Sequence, residues 1–110
     1  MSDRIRRAVF ALLATTSPCL LAEDHTAEAL KHAAEAASAT DSKSVGLHAE
    51  QALQHIDAAK AASGAQVDPH VKQGEADLNT AVQHSNWHNT DRAAQEAADG
   101  KAHLEQAGGK

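Results

Sequence analysis

The chain has 110 residues, with 10 Lys and Arg against 15 Asp and Glu, one Cys, one Trp and no Tyr. An acidic chain of this size without a basic patch is one domain at most, and it excludes nucleic acid and anionic membrane as natural partners while suiting cations. Aromatic scarcity leaves little with which to stack a base or a sugar.

The first element is an export signal over residues 1–22, followed by a domain over 23–110. Arg4, Arg6 and Arg7 form a positive head, an apolar run follows over residues 8–22, and small Ala22 precedes the expected cut. The run is too short to persist as a membrane-spanning helix, so no stable membrane insertion is expected. The flanks of Arg6-Arg7 fit general secretion better than twin-arginine export, and the expected destination is the periplasm. Cleavage leaves 7 basic residues against 14 acidic ones, a charge of −7. It also removes Met1 and Cys19, the only sulfur in the chain. Disulfides, iron–sulfur clusters, thiolate zinc and c-type haem are thereby excluded. Imidazole and carboxylate remain, a donor set for Cu(II), Ni(II) or Zn(II).

Four helices follow in order. The first is expected from about Asp24, a candidate N-cap, to Ala39. The turn Thr40-Asp41-Ser42, with Asp41 or Ser42 as the candidate N-cap, leads to a second helix that ends at Ser63 before Gly64. Asp68-Pro69 pairs an N-cap with a proline at the first helical position, which opens a third helix running to about Asn86. Trp87-His88-Asn89 connects to a fourth, capped by Asn89 or Thr90 and stopped by Gly108-Gly109. Short connections between helices of similar length predict an all-α, antiparallel, up-down-up-down four-helix bundle. Its core is thin, because the 88 residues after Ala22 include 22 Ala but only 11 Leu, Ile, Val and Trp together. Modest stability without metal is the consequence. The expected core stripes are Ala27, Leu30, Ala34 and Ala37; then Val45, Ala49, Ala52, Leu53, Ile56 and Ala59; then Val71, Leu78 and Val82; then Ala93, Ala97 and Leu104. Gly74 and Gly100 are weak points, each costing about 1 kcal/mol relative to alanine in a helix.

An internal repeat overlies these helices. Residues 25–32 (HTAEALKH) and 48–55 (HAEQALQH) place two histidines seven apart, and residues 77–84 (DLNTAVQH) keep the frame with a carboxylate first. Seven residues are two turns, so the paired groups share a face, while Leu30, Leu53 and Val82 turn toward the core. On the first helix His25, Glu28, His32 and Glu35 form one edge, expected to face solvent. On the second, His48 and His55 flank the core stripe. They lie about 10 Å apart along the axis, too far to share an ion without a neighbouring helix. The third carries His70, Asp77 and His84, with His88 able to join His84 as an i, i+4 pair if the helix reaches it. Trp87 reads as a lid on the bundle end. The fourth offers Glu96, Asp99 and His103. The competing description is a solvated face with boundary histidines packed between helices.

Catalytic constellations are missing. No acid has a histidine three residues after it, as a carboxylate-bridged di-iron bundle needs, and His-Glu-x-x-His and glycine-rich phosphate loops are absent.

The frame His-x3-Ala-φ-[Lys/Gln]-His (φ an aliphatic), over an Ala- and Glu-rich four-helix chain behind a signal peptide, resembles the small metal-binding protein family. It is clearest over residues 25–35 and 48–63. The resemblance implies a periplasmic bundle that holds several divalent ions, copper foremost, for copper handling or detoxification. It carries best to His25, His32, His48, His55 and His84. Ala39, Ser44 and Gln73 stand where the family tends to continue the histidine heptad, which implies a lower stoichiometry here.

The expected function is therefore non-catalytic sequestration or buffering of Cu(II), and less selectively Ni(II) or Zn(II), with several ions per chain. The alternatives are a helical adaptor whose histidines bind nothing and a copper metallochaperone, with any protein partner unknown. A chain cut after Ala22 would also begin Glu23-Asp24-His25. Its amine, two amides and the third-position imidazole could bind Cu(II) in a square plane, in competition with the helical edge.

Overall fold

A computed structural model describes residues 18–64 and 66–108. Its four helices are α1 (Pro18–Ser38), α2 (Ser42–Ser63), α3 (Pro69–Asn86) and α4 (Thr90–Gly108). Each boundary after α1 has a local cause. Asp41 is extended and its Oδ1 accepts from the Ser44 amide at 2.8 Å, satisfying one of the free donors at the start of α2. Gly64, at φ 65°, ends α2 and donates its amide to the Lys60 carbonyl. Asp68 accepts from the His70 amide at 2.8 Å, with Pro69 at the first helical position of α3. The α3–α4 turn closes through amides of Trp87 on Gln83 and His84, of His88 on Ser85, and of Asn89 on His84. His88 takes the left-handed conformation, φ 60°, that glycine usually supplies at a helix C-terminus.

The helices pack as consecutive antiparallel neighbours, and α1 also contacts α4, so the ring of four closes. A hydroxyl contact of 2.5 Å between Ser42 and Thr90 ties the starts of α2 and α4 together. The core among the described residues is mostly small side chains. Ala29, Ala33, Ala36, Ala49, Ala52, Ala81, Ala93 and Ala97 are fully buried, around Val45, Ile56, Leu78 and Leu104. Small side chains let helix axes approach closely, so the packing gains from contact what it lacks in aliphatic bulk. No described helix is long and apolar enough to cross a membrane.

The core stripes of α2, α3 and α4 fall where expected, with Leu53 and Val82 at the margin. That of α1 does not. Its buried face is Thr26, Ala29, Ala33 and Ala36, while Ala27 is exposed and Leu30 and Ala37 only border the core. Alanines at 27, 29, 33, 34, 36 and 37 give this helix apolar groups on several faces, and packing against α2 and α4 selects among them. Its start also differs, since α1 begins at Pro18 and Asp24 lies within it rather than capping it.

Gly74 and Gly100 have a packing role besides their propensity cost. A Cβ on Gly74 would stand 3.0 Å from Leu104 Cγ and 3.3 Å from the Gly100 carbonyl oxygen. One on Gly100 would stand 3.0 Å from Leu78 Cγ and 3.2 Å from the Gly74 carbonyl oxygen. At the two glycines α3 and α4 approach closely enough that neither position has room for a Cβ without a shift of its neighbours.

Candidate metal site in the seam between α1 and α2

The rotation of α1 carries its histidine edge out of open solvent and onto α2. His25, His32, His48 and His55 are all half-buried along that seam. The antiparallel register is symmetric about Thr40 in the turn, which is the midpoint of 25 and 55 and of 32 and 48. His25 Nδ1 lies 3.3 Å from His55 Nδ1. The rings of His32 and His55 stack with centroids 5.4 Å apart, and those of His32 and His48 at 6.4 Å. The seven-residue interval that prevents two histidines of one helix from sharing an ion thus becomes a ladder once a second helix faces it.

Among the described residues the carboxylates of the seam's triads come from α1. Glu35 Oε1 accepts from His32 Nδ1 at 3.2 Å. The same oxygen stands 3.2 Å from His48 Nδ1, out of line for a hydrogen bond, so this buried nitrogen is left without a partner. Two triads result, His32–Glu35–His48 and Glu28–His32–His55, each with donor atoms within 4.8 Å of one another. A tetrahedral ion with ligands at about 2.0–2.2 Å needs donors about 3.3–3.6 Å apart. The first triad, at 3.2 Å on both sides of Glu35, is close to that spacing, and in the second Glu28 is exposed. Side-chain exposures of 20% at His32, 35% at His48 and 43% at Glu35 keep the seam open to exchange.

The α3–α4 hairpin uses the same frame differently. Asp77 and His103 meet across it at 2.7 Å, a carboxylate–imidazole pair. No third donor completes a triad there among the described residues. His70 and His84 are half-buried, each with a buried Nδ1 that has no hydrogen-bond partner. The i, i+4 pairing of His84 with His88 does not form as helical geometry, because α3 stops at Asn86 and His88 is exposed in the turn. Trp87 is 68% exposed, with its ring edge-on to His84 at 5.4 Å, and so it does not cover the bundle end. Glu96 pairs with Arg92 on its own helix, and Asp99 is exposed. What reasoning from single helices missed is which donors face each other. The signal was the common midpoint at Thr40, which pairs 25 with 55 and 32 with 48 before any side chain is placed.

A four-helix bundle that gathers imidazoles and carboxylates along one seam defines a metal-binding bundle as a class. The chain matches the small metal-binding protein family over residues 3–107 and belongs to it. No curated protein and no solved structure matches it.

Proposed function

We propose that the protein is exported and that it sequesters or buffers divalent transition-metal cargo, Cu(II) foremost, then Ni(II) and Zn(II), without catalysis. The convergence of His32, Glu35 and His48 on one point of the α1–α2 seam, with Glu28 and His55 beside it, carries this reading. Family membership supports metal binding. Preference for copper rests on the donor set, since borderline imidazole sites follow the Irving–Williams order. Half-exposed positions suit reversible holding better than a closed structural site does. In this reading residues 1–22 are the signal, cleavage after Ala22 leaves the bundle, and the periplasm is the place of action. His70, Asp77, His84, His88, Glu96, Asp99 and His103 are secondary sites of lower affinity, because the chain does not gather them into triads.

Titration of the full-length protein with Cu(II), followed by calorimetry and native mass spectrometry, tests this. Saturable binding of more than one ion is expected, with the tightest lost on replacing His32 and His48 by alanine. No saturable binding, or a tightest site indifferent to those replacements, would overturn it.

A further inference from the structure

We infer that the α1–α2 seam holds one ion at a time, in either of two alternative positions that share His32, rather than two ions side by side. This rests on the metal-binding reading above and concerns how that site fills. His32 belongs to both triads, Glu28–His32–His55 on one side and His32–Glu35–His48 on the other. A neutral imidazole has one nitrogen lone pair free for a metal, while its other nitrogen carries a proton. Whichever nitrogen His32 offers, it serves one ion.

Glu35 changes role with the position of that ion. Its Oε1 lies 3.2 Å from His32 Nδ1. With the ion held by Glu28, His32 and His55, a protonated His32 Nδ1 donates to Glu35, the carboxylate support that fixes the tautomer of a ligating histidine. With the ion held by His32, Glu35 and His48, the proton moves to Nε2 and Glu35 becomes a ligand. No atom is gained or lost, since the same imidazole proton changes nitrogen by exchange with water. Filling both positions would require His32 to lose its remaining N–H proton and bridge the two ions as an imidazolate. It would also place two dications in one half-buried seam with only Glu28 and Glu35 to offset their repulsion. The outcome is a two-position site along which an ion can move without being released.

Native mass spectrometry of the full-length protein with Cu(II) alone counts the ions in four variants. His48→Ala and His55→Ala should each retain the wild-type count, because the other position survives. His32→Ala, and the double variant of His48→Ala with His55→Ala, should each lose one ion. Electron paramagnetic resonance supplies a second readout: wild-type Cu(II) gives two overlapping seam signals, and each single variant retains one of them. If His48→Ala and His55→Ala each lose one ion and His32→Ala loses two, the positions are independent or bridged and the inference is wrong. If none of the four variants changes the count, the seam does not bind Cu(II), and it is the metal reading of the seam that fails. Both single variants replace half-exposed side chains with the best helix former, so folding does not limit the test.

Discussion

The two hairpins of this bundle are built on the same heptad frame and do different things with it. In α1–α2 the turn is centred on Thr40, so histidine faces histidine, and Glu28 and Glu35 supply charge from one side. In α3–α4 the observed pair Asp77–His103 is centred on Thr90, so carboxylate faces imidazole and the two satisfy each other at 2.7 Å. A heptad repeat therefore sets which groups share a helix face, but the turn decides what they meet. The residues at the contact differ as well, since Gly74 and Gly100 pack against Leu104 and Leu78 between α3 and α4, whereas α1 and α2 carry a row of imidazole rings.

The largest effect that should separate the hairpins is on metal affinity. Replacing His32 by alanine is expected to weaken the tightest Cu(II) site at least as much as losing a supporting group does, about 10–100-fold. His103→Ala should leave that site unchanged, as calorimetric titration would show; equal losses would erase the distinction drawn between the hairpins. Next in size is the core of the second hairpin. Leu78→Ala removes a fully buried side chain from a core with few others. It should cost about 2–5 kcal/mol in denaturant unfolding while leaving the Cu(II) count of the folded protein intact.

A smaller effect tests the close crossing. In an ordinary helix Gly→Ala gains about 1 kcal/mol. Gly100→Ala must instead push a methyl against Leu78 and the Gly74 backbone, and overpacking of that kind costs about 1–3 kcal/mol. Thermal unfolding should therefore show no stabilisation and a net loss; a gain would mean that the helices are not held close there.

The smallest effect concerns the join between hairpins. Lys60 Nζ donates to Glu75 at 2.8 Å and 3.1 Å, which raises the lysine pKa above its usual 10.5 through the hydrogen bond and then the charge of Glu75. A raised folded-state value contributes stability below the unfolded pKa and loses it as pH rises through the folded one. Lys60→Gln should thus lower the melting temperature slightly at neutral pH, and the gap to wild type should close in strongly alkaline solution. A gap that persists there would assign the effect to lost packing of the lysine stem.

Much of this architecture was legible in the residues. Asp41, Gly64 and Asp68-Pro69 mark helix ends by chemistry that acts locally, and they mark them correctly. The stripes of α2 and α3 were readable because most of their valine, leucine and isoleucine share a face, exposed Leu47 apart, and in α4 Leu104 marks the face that Ala93 and Ala97 continue. The rotation of α1 was not, because alanine weighs faces almost equally and Leu30 sits at the margin of the core. That rotation is also what moves His25 and His32 from solvent to the seam, so the error in the fold and the error in the site have one cause. The early start of α1 had a signal in Pro18, a residue favoured at the first helical position. The two glycines were read for propensity alone, since close approach of two helices is a tertiary fact that one helix does not display.

The central claim is that the first ion enters the seam between α1 and α2. Proton NMR of the histidine ring resonances during substoichiometric Cu(II) addition tests it most directly, because the paramagnetic ion broadens nearby protons first. The rings of His32, His48 and His55 should broaden at the lowest Cu(II) additions, with His25 beside them, while those of His70 and His103 remain sharp. Broadening that begins at His103 or His84, or that spreads evenly over all eight histidines of the chain, would contradict the account.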